Sequence, residues 1–390
     1  MRVAIVTPAV NRRGGTEKCL SFLVEQLSPL CKLTLYTAEV TDTDAGRSEV
    51  RSVPVIRRPR LLRYLSFLVS GTVAFAIDRW RGRRYDVVLS TSGDSFFSDV
   101  VYAHFCCQAW LDRIADGTVM LPATQLSQRL RNLHYLAFLR VAATCERLLY
   151  RRRRLKAVIA VSSGVRRELV AAYCVEDRLV SVVPNAVDDR LRAPEMVRVR
   201  QRTEVRSRHG IGPEAVVLLF VAAGDWKRKG LVLALEGMAL VGDPNLRFLI
   251  VGDDDLDFHA SEVLRLGVTE QVVFSGFRAD VDAYYAAADI FIYPSAYEAM
   301  ALVGMEAAGA GLAIVTTRIN GSEDFIEDGR NGIFVRADSV DIAEKLRQVV
   351  TDRALRARLG AAARADSETY TPAAVASRIL DVCVSVRATP

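Results

Sequence analysis

The stretch whose reading decides the fold is Tyr293-Pro-Ser-Ala-Tyr-Glu298-Ala-Met-Ala-Leu-Val-Gly-Met-Glu306-Ala-Ala-Gly-Ala-Gly311. It is led in by Ile290–Tyr293, a short apolar run of the kind that forms a strand buried on both faces. The chain then turns through Pro294 and Ser295, and the pattern predicts a helix from about Ala301. Glu298 stands at the helix entrance and Glu306 in its second turn. A helix N-terminus offers free amides and about half a positive charge, which suits a phosphate. With an anion held there, Glu298 can accept hydrogen bonds from sugar hydroxyls and Glu306 from a ribose diol.

Working outward, the same alternation of strand and helix fills the chain twice. Apolar runs fall at 2–8, 33–37, 52–56, 86–90, 157–161 and 179–183, then at 216–222, 247–251, 272–274, 290–293, 312–316 and 333–335. Short apolar strands separated by helices predict parallel sheets covered on both faces. A chain of 390 residues exceeds one ordinary core and suits two domains. Residues 191–212 are charged, carry Pro194, Gly210 and Gly212, and read as a connection. The expected fold class is therefore α/β, with doubly wound domains over 1–190 and 213–365. A C-terminal helix within 366–390 is expected to pack back on the first domain. Two such domains in tandem predict a ligand cleft between facing strand ends.

Two loops add to the candidate site. Val221-Ala-Ala-Gly224-Asp-Trp-Lys227-Arg228-Lys229-Gly230-Leu231 follows the first strand of the second domain. Its cations can neutralise a diphosphate, Arg228 as a planar fork and Lys229 as a compact charge. Asn11-Arg-Arg-Gly14-Gly15-Thr16-Glu17 follows the first strand of the chain, and its glycines let backbone approach a ligand closely before a helix at about Thr16. Two other patterns lead nowhere. Asp253-Asp-Asp255 ends a strand with no histidine partner, and with four His in the chain no metal site is expected. Gly309-Ala-Gly311 ends a helix before a strand, the reverse of a dinucleotide fingerprint, and reads as a helix C-cap.

Charge is unevenly spread. Residues 1–190 hold 29 Lys and Arg against 18 Asp and Glu, while the whole chain is +6, so the remainder is acidic. A basic half suggests an anionic partner: nucleic acid, acidic lipid or phosphorylated glycan. Tyr64–Ile77 is almost wholly apolar but too short to span a bilayer. Arg57, Arg58, Arg60, Arg63, Arg79, Arg81, Arg83 and Arg84 flank it. It reads either as a buried helix or as an interfacial one. A second helical pattern, 129–156, ends in the run Arg151–Arg154. Seven Cys without metal spacing read as small core residues. The chain opens on a strand without a cleavable leader pattern, which predicts a cytoplasmic protein.

Taken together, Glu298-x7-Glu306, the Gly-Gly-Thr-Glu loop and the Lys-Arg-Lys-Gly turn resemble the retaining glycosyltransferases of family four. Val161-Ser-Ser163, Pro184-Asn-Ala-Val-Asp188, Val251-Gly-Asp253, Phe274-Ser-Gly276-Phe277 and Asn320-Gly-Ser-Glu323 agree with it. Within that family the turn at Gly224 looks most like the lipopolysaccharide core α-glucosyltransferases. The resemblance implies the GT-B fold, two Rossmann-like domains facing across a cleft. It implies a nucleotide-sugar donor, with UDP-glucose expected and UDP-galactose, UDP-N-acetylhexosamine and GDP-mannose open, a glycan or glycolipid acceptor, and no metal or other cofactor. Arg228 and Lys229 would hold the diphosphate, and Glu306 the ribose. Glu298 with the amides at Ala301 and Leu302 would hold the hexose and β-phosphate. Gly224 and Phe277 would complete the donor pocket, and Gly15 would approach the phosphates. His104, with Glu298 and Lys229, would serve the chemistry. The chain departs from the family at Ala299, Met300 and Ala301, where glycines are common, at Asp225, where an Arg is common, and at Asn320.

A sugar-nucleotide epimerase of the same shape would place its acid–base groups elsewhere, which the Glu-x7-Glu spacing opposes. A non-catalytic lipid- or nucleic-acid-binding protein would explain the basic half but not the paired glutamates. The expectation is therefore an enzyme at the inner face of the cell membrane, with an anionic membrane surface as partner and no nucleic acid.

Overall fold

The computed structural model describes residues 1–121 and 126–388. It divides into two compact units, Met1–Ala186 with Pro372–Pro390, and Val187–Thr371.

In the first unit β1 (Arg2–Val6), β2 (Ala9–Val10), α1 (Gly15–Leu27), β3 (Lys32–Thr37), β4 (Glu39–Val40) and β5 (Glu49–Ser52) open the chain. There follow α2 (Arg60–Trp80), β6 (Val87–Thr91), β7 (Val100–Ala103), α3 (Cys107–Ala115), α4 (Leu126–Tyr150), β8 (Ala157–Ala160), α5 (Ser163–Tyr173) and β9 (Val180–Val182). Seven strands form one parallel sheet in the order β5-β3-β1-β6-β7-β8-β9, and β2 pairs with β4. Two readings of the sequence need correction here. The strand expected at 52–56 lies at β5, because Pro54 has no amide to give the ladder; Val53 makes the last bond, to Thr37. Strand β7, between β6 and β8, is an addition, too short a run between Asp99 and His104 to stand out.

Helix α2 packs one face, Phe67, Leu68, Gly71 and Phe75, towards a core that includes Tyr36 and Val53. By length and composition it could cross a membrane, yet that face is buried. Val69, Val73, Ile77 and Trp80 lie exposed on the other side. Its one buried charge, Asp78, accepts from the Tyr36 hydroxyl at 2.7 Å and lies within 3.7 Å of Arg51 and Arg83.

The second unit holds α6 (Glu195–Arg208), β10 (Val216–Val221), α7 (Leu231–Val241), β11 (Leu246–Val251), α8 (Leu256–Leu266), β12 (Val272–Phe274), α9 (Val281–Ala287) and β13 (Ile290–Tyr293). It continues with α10 (Leu302–Ala310), β14 (Ala313–Thr317), α11 (Ser322–Phe325), β15 (Ile333–Val335), α12 (Ser339–Thr351) and α13 (Arg353–Ser367). Its parallel sheet runs β12-β11-β10-β13-β14-β15. Helix α14 (Pro372–Ala388) closes the chain and belongs to the first unit.

The expected connection, 191–212, is instead largely helix α6, inside the second unit. Arginines anchor it where an apolar face is missing. Arg206 is buried and reaches the carbonyls of Ala287, Gly212, Pro213 and Ala215, and Asp289 at 2.8 Å. Arg202 takes the other Asp289 oxygen at 2.7 Å. Guanidinium forks satisfy carbonyls at the end of α9 and in the loop ahead of β10, so a stretch polar enough to look like a linker is anchored within the second unit.

Candidate active site

Strand β10 delivers the chain to the turn at Gly224 and Asp225, both left-handed at φ 71° and 55°. Trp226 fixes that turn. Its fully buried ring stacks on Phe274 and donates to the Ala222 carbonyl at 2.9 Å, while its amide donates to Asp254 at 2.5 Å. Lys227, Arg228 and Lys229 follow before Gly230, at φ 82°, caps α7. A side chain at Gly230 would put Cβ 2.2 Å from the Pro294 carbonyl oxygen. Glycine thus lets the cation turn press against the loop after β13, and the Ala296 amide donates to Arg228 O at 2.9 Å across that contact.

The side chains meet as a result. The Arg228 guanidinium donates to Asp225 at 2.5 Å, to the Tyr297 carbonyl, and to Glu298 Oε1 at 3.2 Å. The same Glu298 oxygen accepts from the Tyr293 hydroxyl at 2.8 Å and from Ser295 Oγ at 3.4 Å. Lys229 Nζ lies 3.4 Å from the Ala223 carbonyl. Burial pushes its ammonium below the usual lysine range, against the opposing pull of Glu298. Helix α10 begins directly after this cluster, and its N-cap, Ala301, brings no side-chain acceptor to the first turn. The Leu302 amide is already bonded to the Met300 carbonyl at 2.8 Å. A cavity of about 530 Å³ opens beside Ser295 at the carboxyl ends of β14 and β15.

Glu306 is buried on α10 and accepts from the Tyr285 hydroxyl at 3.0 Å. Phe277 is 68% exposed, its amide donating to Asp253 at 3.1 Å. The three aspartates after β11 therefore have separate backbone partners, Asp253 with Phe277, Asp254 with Trp226, and Asp255 as N-cap of α8 through the Phe258 amide. Gly311 is the left-handed C-cap of α10.

In the first unit, His104 follows β7. It is buried against Tyr102, ring centroids 4.1 Å apart, and its Nε2 has no hydrogen-bond partner among the described residues. Burial lowers its pKa to about 3, so the ring is neutral at physiological pH. Gly15 is the first residue of α1, with open space where a side chain would stand. Near the ends of β6 and β7 lie two carboxyls absent from the sequence expectation. Glu146 is buried, accepts from Tyr173 at 2.6 Å and from the Cys107 amide at 3.0 Å, and is raised by burial to about 7. Asp94, which accepts from Thr91, is likewise raised by burial to about 7. A carboxylate near the carboxyl end of α4 gives no sequence signal of burial. Tyr293 escaped for a similar reason: its hydroxyl is hidden in the letters of an apolar strand.

Comparison with known proteins assigns this architecture. The family described as "Glycosyltransferase Family 4" matches residues 13–191, and "Glycosyl transferases group 1" matches 201–366. The chain is 33% identical over 138 residues to the lipopolysaccharide core biosynthesis glycosyltransferase LpsE of Rhizobium meliloti, 34% of this chain and 39% of that one. It is 27% identical over 263 residues to the lipopolysaccharide glucosyltransferase WaaG of Escherichia coli, 66% of either chain. It thus spans from about two fifths to about two thirds of the length of these curated relatives. The solved structure of WaaG superposes with a TM-score of 0.74 at 23% identity, covering 98% of this chain and 99% of that one. Anabaena Alr3699/HepE, solved with UDP and glucose, gives 0.69 at 19% identity, covering 99% and 100%. The chain belongs to the glycosyltransferases that join a family 4 domain to a group 1 domain on the GT-B fold.

Proposed function

We propose that the chain is a retaining hexosyltransferase that moves glucose from UDP-glucose to a glycan or glycolipid acceptor of the lipopolysaccharide-core kind. The observation that carries this reading is the meeting of Arg228 and Lys229, on the turn ahead of α7, with Glu298, on the loop ahead of α10. In the reaction, the bond from the anomeric carbon to the diphosphate oxygen breaks and its electron pair leaves with the diphosphate. The acceptor hydroxyl bonds to the same face of the carbon and gives its proton to the departing phosphate oxygen. Lys229 and Arg228 stabilise the leaving charge, a term that grows towards the transition state. Glu298 fixes hexose hydroxyls, and Glu306 holds the ribose. Ala301, Leu302, Gly224 and Phe277 border the donor. Of these, Leu302 contributes packing, since its amide is engaged. From the first unit, Gly15 would leave room for phosphate, and the neutral His104, its buried Nε2 unpaired among the described residues, would serve the positive charge that develops on the sugar. No metal takes part in the step as proposed.

The acceptor reading includes work at an anionic membrane surface on the cytoplasmic side. The apolar stripe Val69, Val73, Ile77 and Trp80 supports it, as do exposed Leu126, Leu130 and Leu133 on α4, each beside basic residues. The donor half is tested by calorimetry with UDP-glucose, UDP-galactose, UDP-N-acetylglucosamine and GDP-mannose, in chelator and then with manganese. Micromolar binding of UDP-glucose in chelator is expected. Binding of none of the four, or only with manganese, would overturn it.

A further inference from the structure

We infer that the first unit carries a second anion site, for a ligand with two or more phosphate groups, in a groove at the amino ends of its strands. This goes beyond the transferase reading. The groove has a volume of about 960 Å³ and is lined by residues that open β1, β3 and β5 and by the turn ahead of β6. In a parallel sheet these ends are opposite the carboxyl ends, where His104 and the loop to Gly15 lie.

Its lining is strongly cationic. Arg2, Lys32, Arg47, Arg83, Arg84 and Arg387 face Glu49 and Asp86 as the only carboxylates among the lining residues. Both carboxylates are occupied. Asp86 accepts the Arg2 amide at 2.7 Å and lies 3.8 Å from Arg387. Glu49 takes Arg83 at 2.5 Å and Arg51 at 3.0 Å. Among the described residues no carboxylate lies within ion-pair distance of the side chains of Lys32, Arg47 and Arg84, and Arg2 acts on Asp86 only from farther away.

The plainest rival is that these bases complement helix carboxyl ends. Three helices end near the groove, α1 at Leu27, α2 at Trp80 and α14 at Ala388. Each contributes about half a negative charge, about 1.5 in all, which leaves a surplus of two to three positive charges or so. Complementing the dipoles therefore does not use up the cations.

The wall is also a fixed shape. Gly46 is left-handed at φ 52°, and a Cβ there would meet Ser28 Oγ at 2.5 Å. Ser28 Oγ donates to the Ala45 carbonyl at 3.0 Å and accepts from the Arg47 amide at 2.9 Å. The turn that carries Arg47 is thus tied to the end of α1. Guanidinium forks among the lining residues suit phosphate oxygens. Leu30, 61% exposed, lines the groove, and Trp80, 87% exposed, precedes Arg83 by three residues. The ligand chemistry is a pyrophosphate-like polyanion, free or on a lipid headgroup.

The experiment titrates pyrophosphate into the full chain, with and without saturating UDP, for wild type, Arg47→Glu/Arg84→Glu and Arg47→Ala/Arg84→Ala. Circular dichroism checks that each is folded. Pyrophosphate binding weakened about tenfold or more in both variants is expected, as for loss of a charge-assisted contact. Equal affinity in folded variants overturns the site. The comparison of variants does not depend on UDP binding, so it stands even if the donor reading fails. Flotation with phosphatidylcholine vesicles, with and without phosphatidylglycerol, names the source. Loss in the variants of binding to the anionic vesicles points to a lipid headgroup, and unchanged flotation with weakened pyrophosphate binding points to a free anion.

Discussion

Glu298→Gln separates structure from chemistry in the donor cluster. Glutamine keeps the shape and an acceptor for the Tyr293 hydroxyl but removes the charge that faces Arg228 at 3.2 Å. Coulomb's law at an effective dielectric of about 20 gives about 5 kcal/mol for that separation. The net loss is far smaller. The Glu298 side chain is 19% exposed, and Arg228 keeps Asp225 at 2.5 Å. A cost of about 1–2 kcal/mol is expected, or a melting shift of about 2–8 °C for a unit of this size. Transition-state stabilisation is another matter. Losing one preorganised polar partner of the reacting sugar costs about 10²–10³ in turnover, about 2.7–4 kcal/mol. The assay is UDP release from saturating UDP-glucose with lipopolysaccharide core as acceptor, per folded molecule, alongside a melting curve and the affinity for UDP. A variant that melts in the expected window yet turns over like wild type would refute the role given to Glu298. Its carboxylate would then serve only to hold the cation turn.

Four further outcomes are expected. Lys229→Ala should weaken UDP and UDP-glucose alike by roughly 10–100-fold, since it deletes a charged contact to the diphosphate; calorimetry with an unchanged Kd would contradict this. Asp225→Asn should tighten UDP by up to about fivefold, because it removes a half-exposed carboxylate that competes for Arg228, and no gain would mean that the two do not compete. Glu146 is raised from its usual 4.5 to about 7, so its charged form weakens the fold above pH 7 and the penalty vanishes below about pH 4.5. Glu146→Gln should therefore gain on wild type by about 3 kcal/mol between pH 4 and pH 8 in denaturant melts, and a pH-independent difference would refute the shift. Val73→Asp with Trp80→Ala should abolish cosedimentation with phosphatidylglycerol vesicles, and full retention would remove the α2 stripe from the membrane reading.

The sequence carried the sheet architecture because parallel strands must be apolar on both faces, and such runs are legible without context. It misplaced what depends on partners far away in the chain. Helix α6 looked like a linker because its anchoring is electrostatic: Arg206 makes sense only once Asp289 and the carbonyls of Ala287 and Ala215 are beside it. In the candidate site, the residue types were legible at Glu298, Arg228 and Lys229, since a loop after a strand and before a helix has few reasons to concentrate charge. Their geometry was not. The meeting of Arg228 with Glu298 rests on Gly230 lying against Pro294 and on Trp226 filling the space under the turn. Asp225 illustrates the gap. As a letter it was a departure from the family pattern, whereas in the fold it is the second carboxylate on Arg228.

That second carboxylate changes how the site works. Arg228 and Lys229 supply two positive charges, and Asp225 and Glu298 two negative ones, so the cluster is balanced before any donor arrives. A buried, unbalanced pair of cations would be costly to fold, and the balance removes that cost. It also means that a diphosphate gains little from Arg228 unless a carboxylate gives way. Glu298 can do so at low cost if hexose hydroxyls replace the guanidinium as its donors. The donor as a whole, sugar and diphosphate together, is then the ligand that satisfies every charge, whereas UDP alone leaves Glu298 competing for Arg228. On the function proposed above, an arrangement of this kind would favour intact donor over spent nucleotide, and would do so through the residues given to the leaving group.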